Sequence, residues 1–242
     1  MNICECEENL MKNGMRFTSQ LLVAFLVALI GCLLAFPALV TAQSQGNNAV
    51  YYQSGSSGVC CKGSAAFIDA STFADTTICK TIYDILSVST SAVFIDARGL
   101  NSTNTSMTCA PGWTPWTNGS TIVSVPSTIL LPAGTIFIQA PWILPANTHL
   151  VGVGDGLSGT VLEVVSGTTL GTMIQFGSSV TGVCPSGVCT GISVEDLTLN
   201  GQAQSIDGIV NQYAQNNSYV NHVRIYQVLG TGLLVSSEPA VA

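Results

Sequence analysis

Residues 192–202 read ISVEDLTLNGQ and residues 218–228 read SYVNHVRIYQV, and their relation decides the fold. A shift of 26 places lays Val194 on Val220, Leu197 on Val223 and Leu199 on Ile225, so apolar falls on apolar. The same shift lays Asp196 on His222, Thr198 on Arg224 and Asn200 on Tyr226. Alternate residues of a strand face opposite sides. With Leu197, Leu199, Val223 and Ile225 turned inward, the polar partners form an outward strip. A second echo, Asp207-Gly208-Ile209 against Thr231-Gly232-Leu233, has an offset of 24. Near-constant offsets of this size imply a solenoid, whose successive turns stack like residues about 4.8 Å apart.

The neighbouring sequence agrees. From Thr128 onward short apolar runs (TILL, TIFI, HLVGVG, TVLEV, MIQF, GIVNQY, GLLVS) are separated by Gly, Pro, Asn and Ser, with no helical pattern between them. That excludes alternating βαβ units. Upstream, Ile78, Ile82, Ile85 and Leu86 follow helical spacing, with Asp75 or Thr76 expected as the cap. Ala92–Ala97 reads as a short strand, and 99–120 as a long loop pinned by Cys109, Trp113 and Trp116. Trp113 and Trp116 are candidate sugar platforms, whereas Trp142 is expected in the core.

Lys12 and Arg16 precede the apolar run Leu21–Phe36 and the small-residue stretch Val40-Thr41-Ala42, the pattern of a signal peptide. The expected organisation is a signal peptide over 1–42, a cysteine-rich lead-in with the helix and long loop over 43–127, and the first coils over 128–242. The expected location is therefore secreted, extracellular or periplasmic. Residues 43–242 hold four Lys and Arg against ten carboxylates, a net charge of −6, which argues against nucleic acid as a partner. Six of the nine cysteines lie there. An even number in an exported chain reads as disulfides. The tight Cys184-Pro-Ser-Gly-Val-Cys189 turn specifies one pair, and Cys60, Cys61, Cys79 and Cys109 are left to staple the lead-in without an assigned connectivity. With His149 and His222 the only histidines and no Cys-x-x-Cys, no metal site is expected. Asn101, Asn104, Asn118 and Asn216 stand in glycosylation sequons.

Leu131-Pro132-Ala133-Gly134-Thr135, then Trp142 through Gly154 (WILPANTHLVGVG), then Gly159-Thr160-Val161-Leu162 resemble the entry into the right-handed parallel β-helix of the pectate lyase superfamily. The resemblance spans about 67–237 and rests on strand, turn and glycine positions. It implies an all-β, right-handed parallel β-helix with an N-terminal capping helix, and a carbohydrate-active protein that acts on or binds an extracellular polysaccharide. Calcium as a cofactor is implied by the resemblance alone. The alternative is a non-catalytic β-helix adhesin or surface-structural module.

Within the outward strip, Asp196, His222 and Arg224 are the catalytic candidates, since a uronate lyase needs a base and a cation that neutralises the substrate carboxylate. Thr198, Asn200 and Tyr226 are the substrate-binding candidates. A simpler reading, preferred over catalysis, makes Arg224 and Asp196 a surface ion pair. Glu195 and Asp196 are adjacent and should diverge. At about 22–26 residues per coil the stretch from 128 makes roughly five coils. The chain is therefore expected to hold only the first part of a longer groove, to be inactive alone, and to self-associate through an open edge at Leu233–Val235.

Overall fold

The computed structural model describes residues 66–156, 158–184, 189–214 and 216–236. The expected signal peptide, the start of the lead-in, Cys60 and Cys61 lie outside these residues. The described chain is mostly parallel β-sheet with one α-helix.

Twelve strands form, in order β1 (Ala66–Asp69), β2 (Val93–Asp96), β3 (Ser127–Leu130), β4 (Gly134–Ile138), β5 (Trp142–Leu144), β6 (Thr148–Val151), β7 (Thr160–Val164), β8 (Thr172–Phe176), β9 (Ser193–Gln204), β10 (Asp207–Asn211), β11 (Tyr219–Val228) and β12 (Leu233–Val235). An eight-stranded sheet runs β1-β2-β3-β6-β9-β7-β4, with β11 on β9, and a four-stranded sheet runs β12-β10-β8-β5. Every pairing between these strands is parallel.

The long strand β9 explains how one sheet curls. Its first residues pair with β6 (Leu150↔Val194), its later ones with β7 (Leu162↔Leu199), and β11 follows both along the opposite edge. Two ladders thus share β9 and β11, and the four-stranded sheet supplies a third. Successive passes of the chain (β3-β4-β5, β6-β7-β8, β9-β10, β11-β12) visit the ladders in the same order. The 26-residue echo is the register itself, with Leu197 opposite Val223 and Leu199 opposite Ile225. Likewise Ile209 lies opposite Leu233.

Inward residues fill the core: Ile129, Ile136, Leu144, Leu150, Leu162, Ile174, Leu197, Leu199 and Ile209 are all fully buried, as is Trp142. The sheet begins earlier than residue 128, because β1 and β2 inside the expected lead-in join β3 in register. β2 is the short strand expected over Ala92–Ala97, whereas β1 lay unread upstream of the helix.

The helix α1 spans Ile78–Val88 and buries Ile78, Ile82, Ile85 and Leu86. Its cap is Thr77, in place of Asp75 or Thr76: the Thr77 hydroxyl accepts from Lys80 N at 3.1 Å. Asp75 is instead drawn to Lys80 Nζ at 2.6 Å. Two disulfides close, Cys79–Cys109 and the expected Cys184–Cys189. They fit an oxidising compartment. Among the described residues no helix is long and apolar enough to cross a membrane.

Candidate functional site

The outward strip is built on β9 and β11, and its two halves meet at a corner. Asp196 and His222 make that corner in the left-handed region, with φ of 53° and 48°. A short polar side chain tolerates this conformation better than a bulky or β-branched one. The two side chains lie together, His222 Nδ1 3.3 Å from Asp196 Oδ1, with His222 exposed and Asp196 half-buried. Asp196 therefore pairs with His222 and not with Arg224 as the ion-pair reading expected. An exposed pair of this kind stabilises little.

Beyond the corner, Thr198 stands opposite Arg224 and Asn200 opposite Tyr226, as the offset requires. Their accessibility differs from expectation. Thr198 is 1% exposed and Asn200 4%, so neither is free to meet a ligand. The loop after β6 covers Thr198, whose hydroxyl donates to the Asp155 carbonyl at 2.6 Å. Gly152 permits that close approach, since a Cβ there would sit 2.2 Å from the Asp196 carbonyl oxygen. Asn200 donates to Glu163 Oε2 at 2.7 Å and accepts from Gln202 N at 3.0 Å. Glu163 stands opposite Asn200 on β7, so the column Glu163, Asn200, Tyr226 crosses three strands.

Arg224 is exposed, with its guanidinium carbon 5.2 Å from the centre of the Tyr226 ring. Such stacking holds a cation without neutralising it. No carboxylate among the described residues forms an ion pair with it.

On the near side of the corner lies a cluster that the sequence reading missed. His149 on β6, Ser193 on β9 and Tyr219 on β11 are direct cross-strand neighbours. His149 Nδ1 is 2.9 Å from Ser193 Oγ, which donates to Glu195 Oε1 at 2.8 Å. Tyr219 Oη donates to the same oxygen at 2.9 Å, along the diagonal that adjacent strands permit. Ser193 is fully buried, His149 and Glu195 are half-buried, and Tyr219 is 47% exposed. Glu195 and Asp196 diverge as expected, one toward Tyr219 and the other toward His222. The available signal was the 26-residue shift itself, which lays Ser193 on Tyr219. His149 lies 44 residues before Ser193, outside that period.

Trp116 is not an accessible sugar platform, for it is 1% exposed and packs edge-on against Trp142 at 5.9 Å. Trp113 packs against Tyr83 at 5.6 Å. A hollow of about 80 Å³ beside Trp116 is lined by Ile143, Val180 and Val183 among others and has no titratable side chain in its wall. Among the described residues no group of three or more His, Cys, Asp or Glu is placed to hold a metal ion. The chain matches no family model, no curated protein and no solved structure.

Proposed function

We propose that the protein is an exported, right-handed parallel β-helix protein of the pectate lyase type that binds an extracellular polysaccharide along the outward face of β9 and β11. The ordered passes through three parallel ladders support the β-helix reading, and the disulfides support export. The observation that carries the function is Arg224, an exposed cation stacked on Tyr226 with no carboxylate partner among the described residues. A uronic acid residue would bring that carboxylate, and the guanidinium fork accepts it in two parallel hydrogen bonds.

Burial of Thr198 and Asn200 favours the non-catalytic version of this reading, a binding or adhesive module. Asn200 and Glu163 satisfy each other, which leaves fewer groups free for acid–base work. The outer edges of β11 and β12 carry no further strand among the described residues, and we propose that they pair with a second copy of the chain.

Binding of the purified chain to polygalacturonate and to a neutral glucan, with unsaturated products and reducing ends followed in parallel, tests the reading. Retention by polygalacturonate that falls at least tenfold in Arg224→Gln is expected. Retention without product selects the binding module, and product formation selects the lyase or hydrolase. Failure to retain any polysaccharide overturns the proposal.

A further inference from the structure

The cluster around Ser193 invites comparison with a serine nucleophile, a histidine base and a carboxylate, but its hydrogen bonds run the wrong way for that chemistry. Ser193 has one proton, and it goes to Glu195 Oε1. A carboxylate oxygen accepts, and this one also accepts a hydrogen bond from the Tyr219 hydroxyl. The Ser193 oxygen is left to accept, so the hydrogen in its 2.9 Å contact with His149 must come from Nδ1. Ser193 is moreover fully buried, out of reach of any substrate carbonyl.

The consequence falls on the other ring nitrogen. A neutral imidazole carries one N–H, and the partner of one nitrogen decides the state of the other. With Nδ1–H committed to Ser193, Nε2 keeps a bare lone pair. No hydrogen bond to Nε2 forms among the described residues, and Nε2 is not among the buried polar atoms left without a partner. It therefore reaches solvent from a half-buried ring held at its far side. Tyr219 stands two strands away from His149, roughly 9–10 Å in a parallel sheet, 47% exposed as a residue and with its hydroxyl tied down. Between them in the ladder lies the fully buried Ser193.

We propose that this cluster is a sugar-hydroxyl subsite: His149 Nε2 accepts a hydrogen bond from a saccharide hydroxyl, Tyr219 offers its ring as the adjoining platform, and Ser193 and Glu195 are positioning residues that hold the His149 tautomer. The inference rests on the polysaccharide reading above and adds to it a neutral acceptor on the opposite side of the corner from the Arg224 cation. The strip then distinguishes saccharide hydroxyls on one half from saccharide carboxylates on the other.

Long-range proton–nitrogen correlation spectra of the full chain test the relay without any ligand. The two histidines are assigned from His222→Gln. The Nδ1–H tautomer of His149 is expected in roughly tenfold excess over the Nε2–H form, a ratio equivalent to about 1.4 kcal/mol, and Ser193→Ala should lower it several-fold. A dominant Nε2–H tautomer in the wild-type chain overturns the inference, and this readout stands even if Ser193→Ala does not fold. Polygalacturonate is then added. Displacement of the His149 Nε2 resonance supports the subsite. Retention of the polymer with an unmoved Nε2 resonance sinks the subsite while leaving the polysaccharide reading intact. A chain that retains no polymer sinks both.

Discussion

The first passes of the chain and the last are built from equivalent residues, yet their surroundings differ. At the N-terminal side the free edge of β4 is covered by irregular chain: Phe137 N donates to the Met107 carbonyl and Cys109 N to the Phe137 carbonyl, both at 2.8 Å. The Cys79–Cys109 disulfide ties that segment to α1, and Trp116 closes over Trp142. At the other side β11 and β12 have no such cover among the described residues. The effect appears between partners in register. Ile209 is fully buried, whereas Leu233 opposite it is 48% exposed. Leu197 is fully buried and Val223 only half-buried. An inward-pointing side chain is thus buried only if another layer lies beyond it, and on the N-terminal side that layer is a stitched loop.

The largest expected effect comes from cutting inward side chains on either side of this contrast. Leu197→Ala should destabilise by about 2–5 kcal/mol, since it empties a fully enclosed site. Val223→Ala, one strand nearer the bare edge, should cost about 1 kcal/mol because part of its surface already meets water. Denaturant unfolding of both variants checks the difference, and equal losses would mean that something covers β11.

Next come the disulfides. Cys79 and Cys109 are 30 residues apart, Cys184 and Cys189 only 5. Loop-closure entropy then gives about 3.5 kcal/mol for the first bond and about 2 kcal/mol for the second. Replacing each pair by serine and comparing unfolding midpoints should reproduce that order. If the short loop proves the costlier loss, the N-terminal cover is held by packing and not by its bond.

The smallest effect sharpens the account of the cover itself. Lys80 holds Asp75 down to about 2 from 3.8, chiefly through their side-chain hydrogen bond. Asp75 and Asp84 in turn raise Lys80 above 10.5. A depressed carboxylate contributes stability that is present above pH 4 and is lost as pH falls toward 2. The raised lysine contributes below its ordinary value and is lost at more alkaline pH. Asp75→Asn should therefore lower the unfolding midpoint at pH 5, by a difference that shrinks as pH falls toward 2 and vanishes below it. A constant difference across that range would mean that the Lys80 contact does not form.

How much of this was legible follows from the corners. Between the two halves of β9 and of β11 the chain turns at one residue, Asp196 or His222, so both passes keep the same length and the echo survives in sequence. Between β6 and β7 eight residues stand where β9 has one, and the chain that runs through the bonded Cys184 and Cys189 lengthens the way to β9. Those insertions leave the register untouched and destroy the period, which is why the His149–Ser193 contact went unseen. Burial of Thr198 was hidden for the same reason, because the covering loop enters from another pass. The inward residues were legible since alternation along a strand is local. The half-burial of Val223 was not, since it depends on a neighbour that no local pattern records.

The single-residue corner has a further consequence, for the history open to such a chain. A left-handed position is restricted in backbone but permissive in chemistry: glycine, asparagine, aspartate and histidine all settle there. Asp196 and His222 show two of these alternatives on neighbouring strands. These two passes therefore each carry a site where charge can be gained, lost or reversed by one substitution without disturbing a ladder or the core. Ligand preference along the outward face can drift at these corners while the scaffold stays fixed.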